Sequence, residues 1–184
     1  MTNNNIYPFK GLFDTHSRPI RVTVIDGPNI DKTRLRPKSE YSLFKSINKN
    51  QEVEYFDSPY DVVNDWNNKL GNPFILTYAQ FNSEGAIIAA LNSAYETDHC
   101  IILNAAAYTH TSVAIHDCLE YRPIPVIEVH MSNPYEREEF RKRNLISSVS
   151  DLHIMGCGEC AYISALYAVR PVIQHFHITK LKQL

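Results

Sequence analysis

Short apolar runs alternate with segments of helical periodicity from residue 20 to residue 169, and this alternation constrains the fold more than any other feature. Five runs rich in β-branched or apolar residues predict strands at 20–25, 74–78, 100–103, 124–129 and 152–155. Strands that alternate with helices indicate a parallel sheet with right-handed crossovers and helices on both faces. The sequence therefore predicts a flavodoxin-like, doubly wound α/β fold with a five-stranded parallel sheet in a single domain.

Helices are expected between these runs, where apolar residues recur at spacings of three and four. They are predicted at 59–70, from Asn82 or Ser83 onward, from Thr111 or Ser112 to about 121, over a charged stretch at 134–143, and at 159–169 before Pro171. Outside the domain at 20–169, residues 1–19 are expected to form an extension and 170–184 a tail. Within it, residues 43–58 are expected to be an insertion or a mobile flap.

Composition and charge exclude several classes of protein. The 184 residues carry a formal net charge of −2, which provides no basic surface of the kind that binds nucleic acid. No run approaches the ~18 apolar residues that a membrane span requires, and the first residues lack the apolar core of a signal peptide. Four cysteines in a chain of this length are expected to be reduced thiols. These features predict a cytoplasmic protein with neither nucleic-acid nor membrane partners.

Polar residues follow the third and fourth predicted strands at the points where these strands end. They are Asn104 and His110 after the third strand, and Glu128, His130, Ser132, Arg137 and Arg141 in and after the fourth. The two arginines are spaced four apart, as on one face of a helix. Because ligands of an open parallel sheet bind outside the carboxyl ends of its strands, we expect a ligand site here.

Each of these groups also has a purely structural interpretation. Glu128 and His130 share one side of a strand, so the carboxylate either orients the imidazole for general-acid catalysis or forms a buried ion pair. The two arginines form either a solvated helix face or clamps for hydroxyl and carboxylate groups. Asp117 is expected on the inward face of the helix that follows His110. These two residues either belong to the ligand site or are a capping histidine and a solvated aspartate. Asn104 favours the functional interpretation, because a polar amide that ends a buried strand is costly without partners.

Three further patterns are weaker. Cys157-Gly158-Glu159-Cys160 is a single CxxC motif without a second pair, which supports neither a zinc site nor a redox site. The glycines at 156 and 158 imitate a dinucleotide fingerprint, but too little chain follows them for the usual unit. The His, Asp and Glu side chains lack any familiar metal-ligand spacing, so neither a metal nor another cofactor is expected.

Several segments resemble, in order, the motifs of the type II 3-dehydroquinate dehydratase family. They are GPN at 27–29, QFNSEG at 80–85, NAAAYTHTS at 104–112, IPVIEVHMSN at 124–133 and REEFR at 137–141. The resemblance covers roughly residues 20–169, and Asn29, Arg36 and Tyr41 stand at the separations of that family's asparagine, arginine and tyrosine. It implies a hydro-lyase that converts 3-dehydroquinate to 3-dehydroshikimate by anti elimination through an enolate, without metal, other cofactor or covalent intermediate.

The resemblance also implies a role for each candidate residue. Tyr41 would be the base that removes the C2 proton, with its pKa lowered from about 10 by the nearby Arg36 cation. Asn29 would hold a water or the developing oxyanion at the ketone, and His130, oriented by Glu128, would protonate the departing C1 hydroxyl. By the same resemblance, Asn104, Ser132 and the Met131 backbone would bind the substrate carboxylate and ring hydroxyls, and His110 and Arg141 would complete the hydroxyl contacts. Arg137 would anchor the flexible loop of Tyr41 or shape the pocket wall. Asp117 would reach the site of a neighbouring subunit in a trimer-based homo-oligomer such as a dodecamer.

The sequence departs from the family pattern around the expected substrate. Residues 33–41 lack the family's glycine and Arg-Glu-Pro before the tyrosine, so Arg34 competes with Arg36 for the role beside that tyrosine. Ser42 and Ala106 stand where glycine is usual. Because alanine disfavours positive φ, the backbone at Ala106 is expected to differ.

These departures leave alternative functions open. A related dehydratase would act on a different polyhydroxylated ring acid and would not turn over 3-dehydroquinate. A non-catalytic paralogue would bind the ligand without turnover, and Tyr41→Phe would not affect binding. A metal-dependent hydrolase, the third alternative, would lose activity in a strong chelator.

Overall fold

The structure, a computed structural model, describes residues 19–35, 44–47, 49, 51 and 53–182. Its strands and α-helices are, in chain order, β1 (Ile20–Asp26), β2 (Phe44–Ile47), β3 (Val53–Tyr55), α1 (Pro59–Lys69), β4 (Phe74–Gln80), α2 (Glu84–Thr97), β5 (Cys100–Asn104), α3 (Val113–Glu120), β6 (Val126–His130), β7 (Leu152–Met155) and α4 (Cys160–Leu181). Short 3-10 helices lie at Ile30–Leu35, Ala106–His110, Pro134–Glu136, Glu139–Lys142 and Ser147–Val149. In the described part of the chain, no helix is both long and apolar enough to cross a membrane.

Five parallel strands form one sheet in the order β4-β1-β5-β6-β7. The first strand of the chain thus lies inside the sheet, between two later strands, as in doubly wound folds. Asp26, the last residue of β1, pairs in register with Gln80 of β4 and Asn104 of β5. Polar side chains therefore end three neighbouring strands at one edge. The predicted flavodoxin-like α/β fold is confirmed.

Two apolar cores flank the sheet because side chains alternate between the two faces of each strand. Val22 and Val24 of β1 face the layer formed by α1 and α4, whereas Ile25 faces α2 and α3. Every residue of β5 and β6 is buried, which explains the nearly continuous apolar composition of these strands. Leu91 of α2 and Leu166 of α4 anchor the two layers, and full burial of such a side chain contributes about 1.5–3 kcal/mol.

Serine side chains mark the starts of two helices by accepting hydrogen bonds from free backbone N–H groups. Ser58 Oγ accepts from the N–H of Asp61 at 3.3 Å and begins α1. Ser112 Oγ accepts from the N–H of Ile115 at 2.8 Å and begins α3. Ser83 precedes α2 without a capping bond from its side chain. The predicted starts of these three helices are confirmed.

The segment at 43–58 contains a two-stranded antiparallel hairpin, β2–β3, that is separate from the five-stranded sheet. Phe44 pairs with Tyr55 and Ile47 with Val53. The strands have only four and three residues. Apolar alternation over so short a run is a weak signal, so the sequence did not predict these strands.

Helix α4 continues well past Pro171, so the prediction that it ends at 169 and is followed by a tail is wrong. A proline inside a helix removes one backbone hydrogen bond and crowds the preceding turn, at a cost of ~3 kcal/mol. Packing beyond the proline opposes this cost. Phe176 is buried, with the Arg122 guanidinium 5.9 Å and the Lys180 ammonium 4.5 Å from its ring centroid. Lys180 also donates to the carbonyl of Pro123 at 3.4 Å, which ties the end of α4 to the loop before β6.

Candidate active site

A cavity of about 230 Å³ opens at the carboxyl edge of the sheet, where β1, β5 and β6 end. Most of the predicted site residues line it: Asn29, Asn104, His110, His130, Met131, Ser132, Arg137 and Arg141. The other lining residues are Pro28, Ile30, Ala106, Ala107 and Pro134. The cavity therefore lies where the polar strand ends predicted a ligand site.

Close packing at Gly27 brings two walls of the cavity together. The N–H of Gly27 donates to the carbonyl of Asn104 at 2.7 Å, just after β1 and β5 end. A β-carbon at position 27 would lie 2.5 Å from the carbonyl oxygen of Ala105, so only glycine fits without a backbone shift. The turn that carries Asn29 and the loop after Asn104 can approach each other because of this glycine.

Asn29 reaches the cavity from a left-handed turn, with φ of +64°. Asparagine adopts this conformation more readily than most residues. The N–H of Asn29 donates to Asn82 Oδ1 at 3.0 Å. Gln80 donates to the same oxygen at 3.1 Å and to the carbonyl of Gly27 at 2.9 Å. Two side-chain amides from the end of β4 thus hold the GPN turn in place.

Ala106 has φ of +52°, in the left-handed region that favours glycine. Its N–H donates to Asn104 Oδ1 at 3.2 Å, which supports this conformation. The expectation that alanine would keep the backbone out of positive φ is therefore wrong. Ala106 lines the cavity, as does Asn104.

His130 and Glu128 form a buried pair at the end of β6, and their side chains are 7% and 0% exposed. His130 Nε2 lies 2.8 Å from Glu128 Oε1. Asn144 Nδ2 donates to Oε1 at 2.8 Å and the Ser147 hydroxyl donates to Oε2 at 2.5 Å. Burial acts to raise the pKa of Glu128, but the hydrogen bonds from His130, Ser147 and Asn144 outweigh it and lower that pKa below its ordinary value. Glu128 is thus a carboxylate that holds the imidazole by one nitrogen.

Sequence reasoning missed Asn144 and Ser147 as partners of Glu128. Asn144 also accepts from the N–H groups of Ile146 and Ser147 through Oδ1, at 2.8 and 2.9 Å. This asparagine therefore orders the loop that covers the carboxylate. Both residues lie in a stretch of sequence without apolar periodicity, so no pattern placed them beside β6.

His110 presents one defined ring nitrogen to the cavity. Its Nδ1 lies 2.8 Å from the carbonyl of Arg143. Because a carbonyl only accepts, Nδ1 carries the proton and Nε2 is the nitrogen left to accept. Burial lowers the pKa of His110, and the Arg141 cation lowers it further. His110 is therefore neutral at neutral pH and offers an acceptor.

Arg137 and Arg141 line the cavity, but the predicted helix at 134–143 is wrong. Two 3-10 helices, Pro134–Glu136 and Glu139–Lys142, replace it, because Arg137 adopts an extended backbone with φ of −107° and ψ of −160°. Arg141 Nε donates to Glu138 Oε2 at 2.6 Å. Arg137 Nη1 lies 3.5 Å from Ser132 Oγ. The two guanidinium groups still converge on one side of the cavity.

Asp117 lies on the exposed face of α3, with its side chain 62% exposed, so the prediction of an inward position is wrong. The apolar residues Ile115 and Leu119 occupy the inward face instead. Among the described residues, His116, Asp117 and Glu120 form a group whose ligand atoms lie within 4.8 Å of one another. This group is on the surface of α3 and does not line the cavity, and exposed acidic groups commonly cluster in this way without an ion.

The candidate base and its cation, Tyr41 and Arg36, lie outside the described residues. Ser42 does so as well. Arg34 belongs to the 3-10 helix Ile30–Leu35, which begins directly after Asn29.

A buried network behind Asn104 was not predicted. The Asn104 amide nitrogen donates to the hydroxyl of Tyr162 at 2.7 Å, and that hydroxyl donates to Asp26 Oδ1 at 2.7 Å. Tyr78 donates to Asp26 Oδ2 at 2.8 Å. Burial raises the pKa of Asp26 to about 7, against the lowering effect of both tyrosine hydrogen bonds. The sequence showed Asp26 only as part of a turn, and Tyr162 only as part of a helix.

A second groove, of about 680 Å³, adjoins the cavity across Met131, Ser132 and Arg137. The CxxC segment contributes Cys157 to its lining, and Cys160 follows at the start of α4. Both thiols are free and exposed. Burial raises the pKa of Cys160, which disfavours its thiolate.

Comparison with known proteins gives consistent matches along the folded domain. A family profile described as "Dehydroquinase class II" matches residues 20–170. The chain is 39% identical over 154 residues to a 3-dehydroquinate dehydratase of Caldicellulosiruptor saccharolyticus, covering 83% of this chain and 98% of that protein. The crystal structure of a type II dehydroquinase from Butyrivibrio crossotus is similar with a TM-score of 0.71 and 33% identity, over 82% of this chain and 97% of that one. The crystal structure of a type II dehydroquinase from Propionibacterium acnes is similar with a TM-score of 0.69 and 26% identity, over 84% of this chain and 99% of that one.

Proposed function

The chain belongs to the class II dehydroquinase family, and we propose that it is a hydro-lyase that dehydrates 3-dehydroquinate to 3-dehydroshikimate. One observation carries the proposal: eight of the predicted site residues, all from the family-like motifs, line a single cavity at the carboxyl edge of the sheet. Two of these residues are arginines, which suit an anionic substrate. A cavity of about 230 Å³ also suits a small ring acid.

The proposed reaction is an anti elimination through an enolate. The C2–H bond breaks toward the base, and the electron pair is held as an enolate at the ketone oxygen. The ketone re-forms as the C1–O bond breaks, and the hydroxyl leaves as water with a proton from the acid. The step needs one base, one stabiliser of the enolate oxygen and one acid.

His130 is the proposed acid. Its Nε2 contacts the Glu128 carboxylate at 2.8 Å, and a carboxylate can only accept there. The proton given to the leaving hydroxyl therefore departs from Nδ1, and Nε2 keeps its proton. Glu128 compensates the charge of the imidazolium and fixes the plane of the ring. The hydrogen bonds from Asn144 and Ser147 keep Glu128 ionised for this purpose.

Asn29 is the proposed stabiliser of the enolate oxygen, either directly or through a water. The hydrogen bonds of Gln80 and Asn82 hold its turn, so the side chain is positioned before substrate arrives. Tyr41 is the proposed base, with Arg36 or Arg34 as the cation that favours its phenolate.

Substrate contacts are proposed for the rest of the cavity wall. Asn104, Ser132 and the Met131 backbone would bind the carboxylate and ring hydroxyls. His110 would accept a hydroxyl proton at Nε2, because its Nδ1 proton is engaged by the carbonyl of Arg143. Arg141 would complete the hydroxyl contacts, and Arg137 would shape the pocket beside Ser132 or anchor the loop of the base.

We also propose a cytoplasmic, trimer-based homo-oligomer, in which Asp117 contributes to the site of a neighbouring subunit. Its position on the exposed face of α3 supports this proposal, because an exposed side chain is available to another subunit. Light scattering on the purified protein tests the assembly. A monomer at micromolar concentration would contradict it, and Asp117→Ala should lower activity without unfolding the chain.

Absorbance of the conjugated enone product tests the reaction. We expect turnover of 3-dehydroquinate by the wild type, unaffected by a strong chelator. Tyr41→Phe and His130→Ala should each lower kcat by about 10²-fold or more, since each removes a proton-transfer group. Turnover of a related ring acid but not of 3-dehydroquinate would instead support a changed specificity, for which Ala106 at the cavity wall is the structural reason.

A further inference from the structure

Asp26 is a buried carboxyl group that the proposed reaction does not use. It is fully buried at the carboxyl end of β1. Its two oxygens accept hydrogen bonds from two phenols, Tyr162 at 2.7 Å and Tyr78 at 2.8 Å. A buried carboxyl is unfavourable unless its partners are placed for it. Tyr162 connects it to the cavity wall, whereas Tyr78 does not.

In the series of hydrogen bonds from Asp26 to the cavity, the groups at the two ends determine which atom donates and which accepts. The Tyr162 hydroxyl has one proton and gives it to Asp26, so its oxygen must accept from Asn104. At the other end, the N–H of Ala106 is a donor and requires the Asn104 carbonyl oxygen. Both ends thus demand the same orientation of the Asn104 amide, with Nδ2 toward Tyr162.

We propose that Asp26 is a positioning residue for substrate binding: through the Tyr162 hydroxyl it fixes the side-chain amide of Asn104 at the cavity wall. The second Nδ2 proton of Asn104 is then free for a substrate oxygen, since one is committed to Tyr162. This inference rests on the proposed function, in which Asn104 contacts the substrate.

The ionisation of Asp26 adds a pH dependence to this arrangement. The titratable groups that face its carboxyl are Tyr78 from β4 and Tyr162 from α4, and Asp31 and Asp61 act in turn on the Tyr78 phenol. With a pKa of about 7, Asp26 is an acceptor above neutral pH and becomes a donor below it. A protonated Asp26 no longer requires the Tyr162 proton, so only the Ala106 N–H then still holds the orientation of the Asn104 amide.

Steady-state kinetics of Tyr162→Phe and Tyr78→Phe with 3-dehydroquinate at pH 8 provide the first test. Both variants remove one phenol from Asp26, but only Tyr162→Phe breaks the link to Asn104. We expect KM to rise about five- to tenfold in Tyr162→Phe with kcat nearly unchanged, as for one lost hydrogen bond. KM in Tyr78→Phe should equal that of the wild type once the pH is high enough to ionise Asp26. Equal KM values in Tyr162→Phe and the wild type would overturn the proposal.

Asp26→Asn provides a second test that does not depend on the folding of Tyr162→Phe. The wild-type KM should fall as the pH rises from 6 to 8, and this change should disappear in Asp26→Asn, which cannot ionise. A pH dependence that persists unchanged in the variant would assign it to another group and overturn the role of Asp26.

The side-chain amide signal of Asn104 separates failure of the inference from failure of the proposed function. In a ¹H–¹⁵N spectrum it is identified by its loss in Asn104→Ala. We expect it to move in Tyr162→Phe and to stay in place in Tyr78→Phe. If the wild type does not turn over 3-dehydroquinate, the proposed function fails, and this signal still decides the inference: movement supports it, and an unmoved signal in Tyr162→Phe refutes it.

Discussion

Replacement of Asp26 by asparagine should remove a group whose ionisation opposes folding at neutral pH. Burial raises the pKa of Asp26 from its ordinary 3.8 to about 7, with the hydrogen bonds of Tyr162 and Tyr78 acting against this rise. Between these two values the folded state holds a proton that the unfolded state has released. The contribution of Asp26 to the free energy of unfolding is therefore fully present below pH 3.8 and declines as the pH rises through 7.

The expected size of the effect follows from the two pKa values. One pKa unit corresponds to roughly 1.4 kcal/mol, so the whole decline is ~4 kcal/mol, of which ~3 kcal/mol falls between pH 5 and pH 8. The Asp26→Asn variant should show no such decline, since the amide does not ionise. The difference in unfolding free energy between the variant and the wild type should accordingly shift by ~3 kcal/mol in favour of the variant between pH 5 and pH 8. This shift does not depend on the size of the difference at pH 5.

Urea unfolding at several pH values between 5 and 8, at one fixed protein concentration, measures this difference. Other titrating groups affect both proteins alike and cancel. Glu128 is one of these groups. Because its pKa is lowered in the folded state, its contribution to stability is present above its ordinary pKa of 4.5 and is lost as the pH falls through its lower pKa in the folded state. A difference between variant and wild type that stays constant from pH 5 to pH 8 would contradict this account, because Asp26 would then titrate alike in the folded and unfolded states.

Three further substitutions test the site and its supports. Glu128→Gln gives His130 a neutral partner of the same shape, so kcat should fall by about 10²-fold, and an unchanged kcat would exclude Glu128 from acid catalysis. Gly27→Ala would place a β-carbon 2.5 Å from a backbone carbonyl oxygen, and thermal unfolding should show a loss of about 1–3 kcal/mol. Gly85→Ala is its control, because the nearest atom lies 4.0 Å away; equal losses in the two would contradict the steric explanation. Ala106→Gly should raise the unfolding free energy by up to ~1 kcal/mol by removing alanine from positive φ, and a loss of stability would show that φ is not strained.

The fold and most of the cavity wall were predictable because they follow from periodicity and topology. Continuous apolar strands such as β5 and β6 require helices on both faces, and the parallel arrangement then gathers their carboxyl ends at one edge. That rule alone brings Asn104 and His130 together, although they stand 26 positions apart in the sequence. It needs no knowledge of a single side-chain contact.

The features that were wrong or missed depend on tertiary contacts that leave no local pattern. Pro171 predicts a helix end, but packing beyond it, including that of Phe176, opposes the break and α4 is continuous. Asp117 is spaced like an inward residue relative to His110, but in α3, which begins at Val113, it is Ile115 and Leu119 that face the core. Asp26 shows only as a turn residue until β1 and α4 bring two phenols to its oxygens.

The length of α4 separates the two ends of the domain. The helix begins next to Met131 at the cavity edge and runs 22 residues, or roughly 33 Å, to the loop before β6 at the opposite edge. Leu181, at its end, is 71% exposed. A fluorophore or a surface linkage attached there would stand a full domain depth from the cavity, so the protein could be immobilised or labelled with its cavity open to solvent.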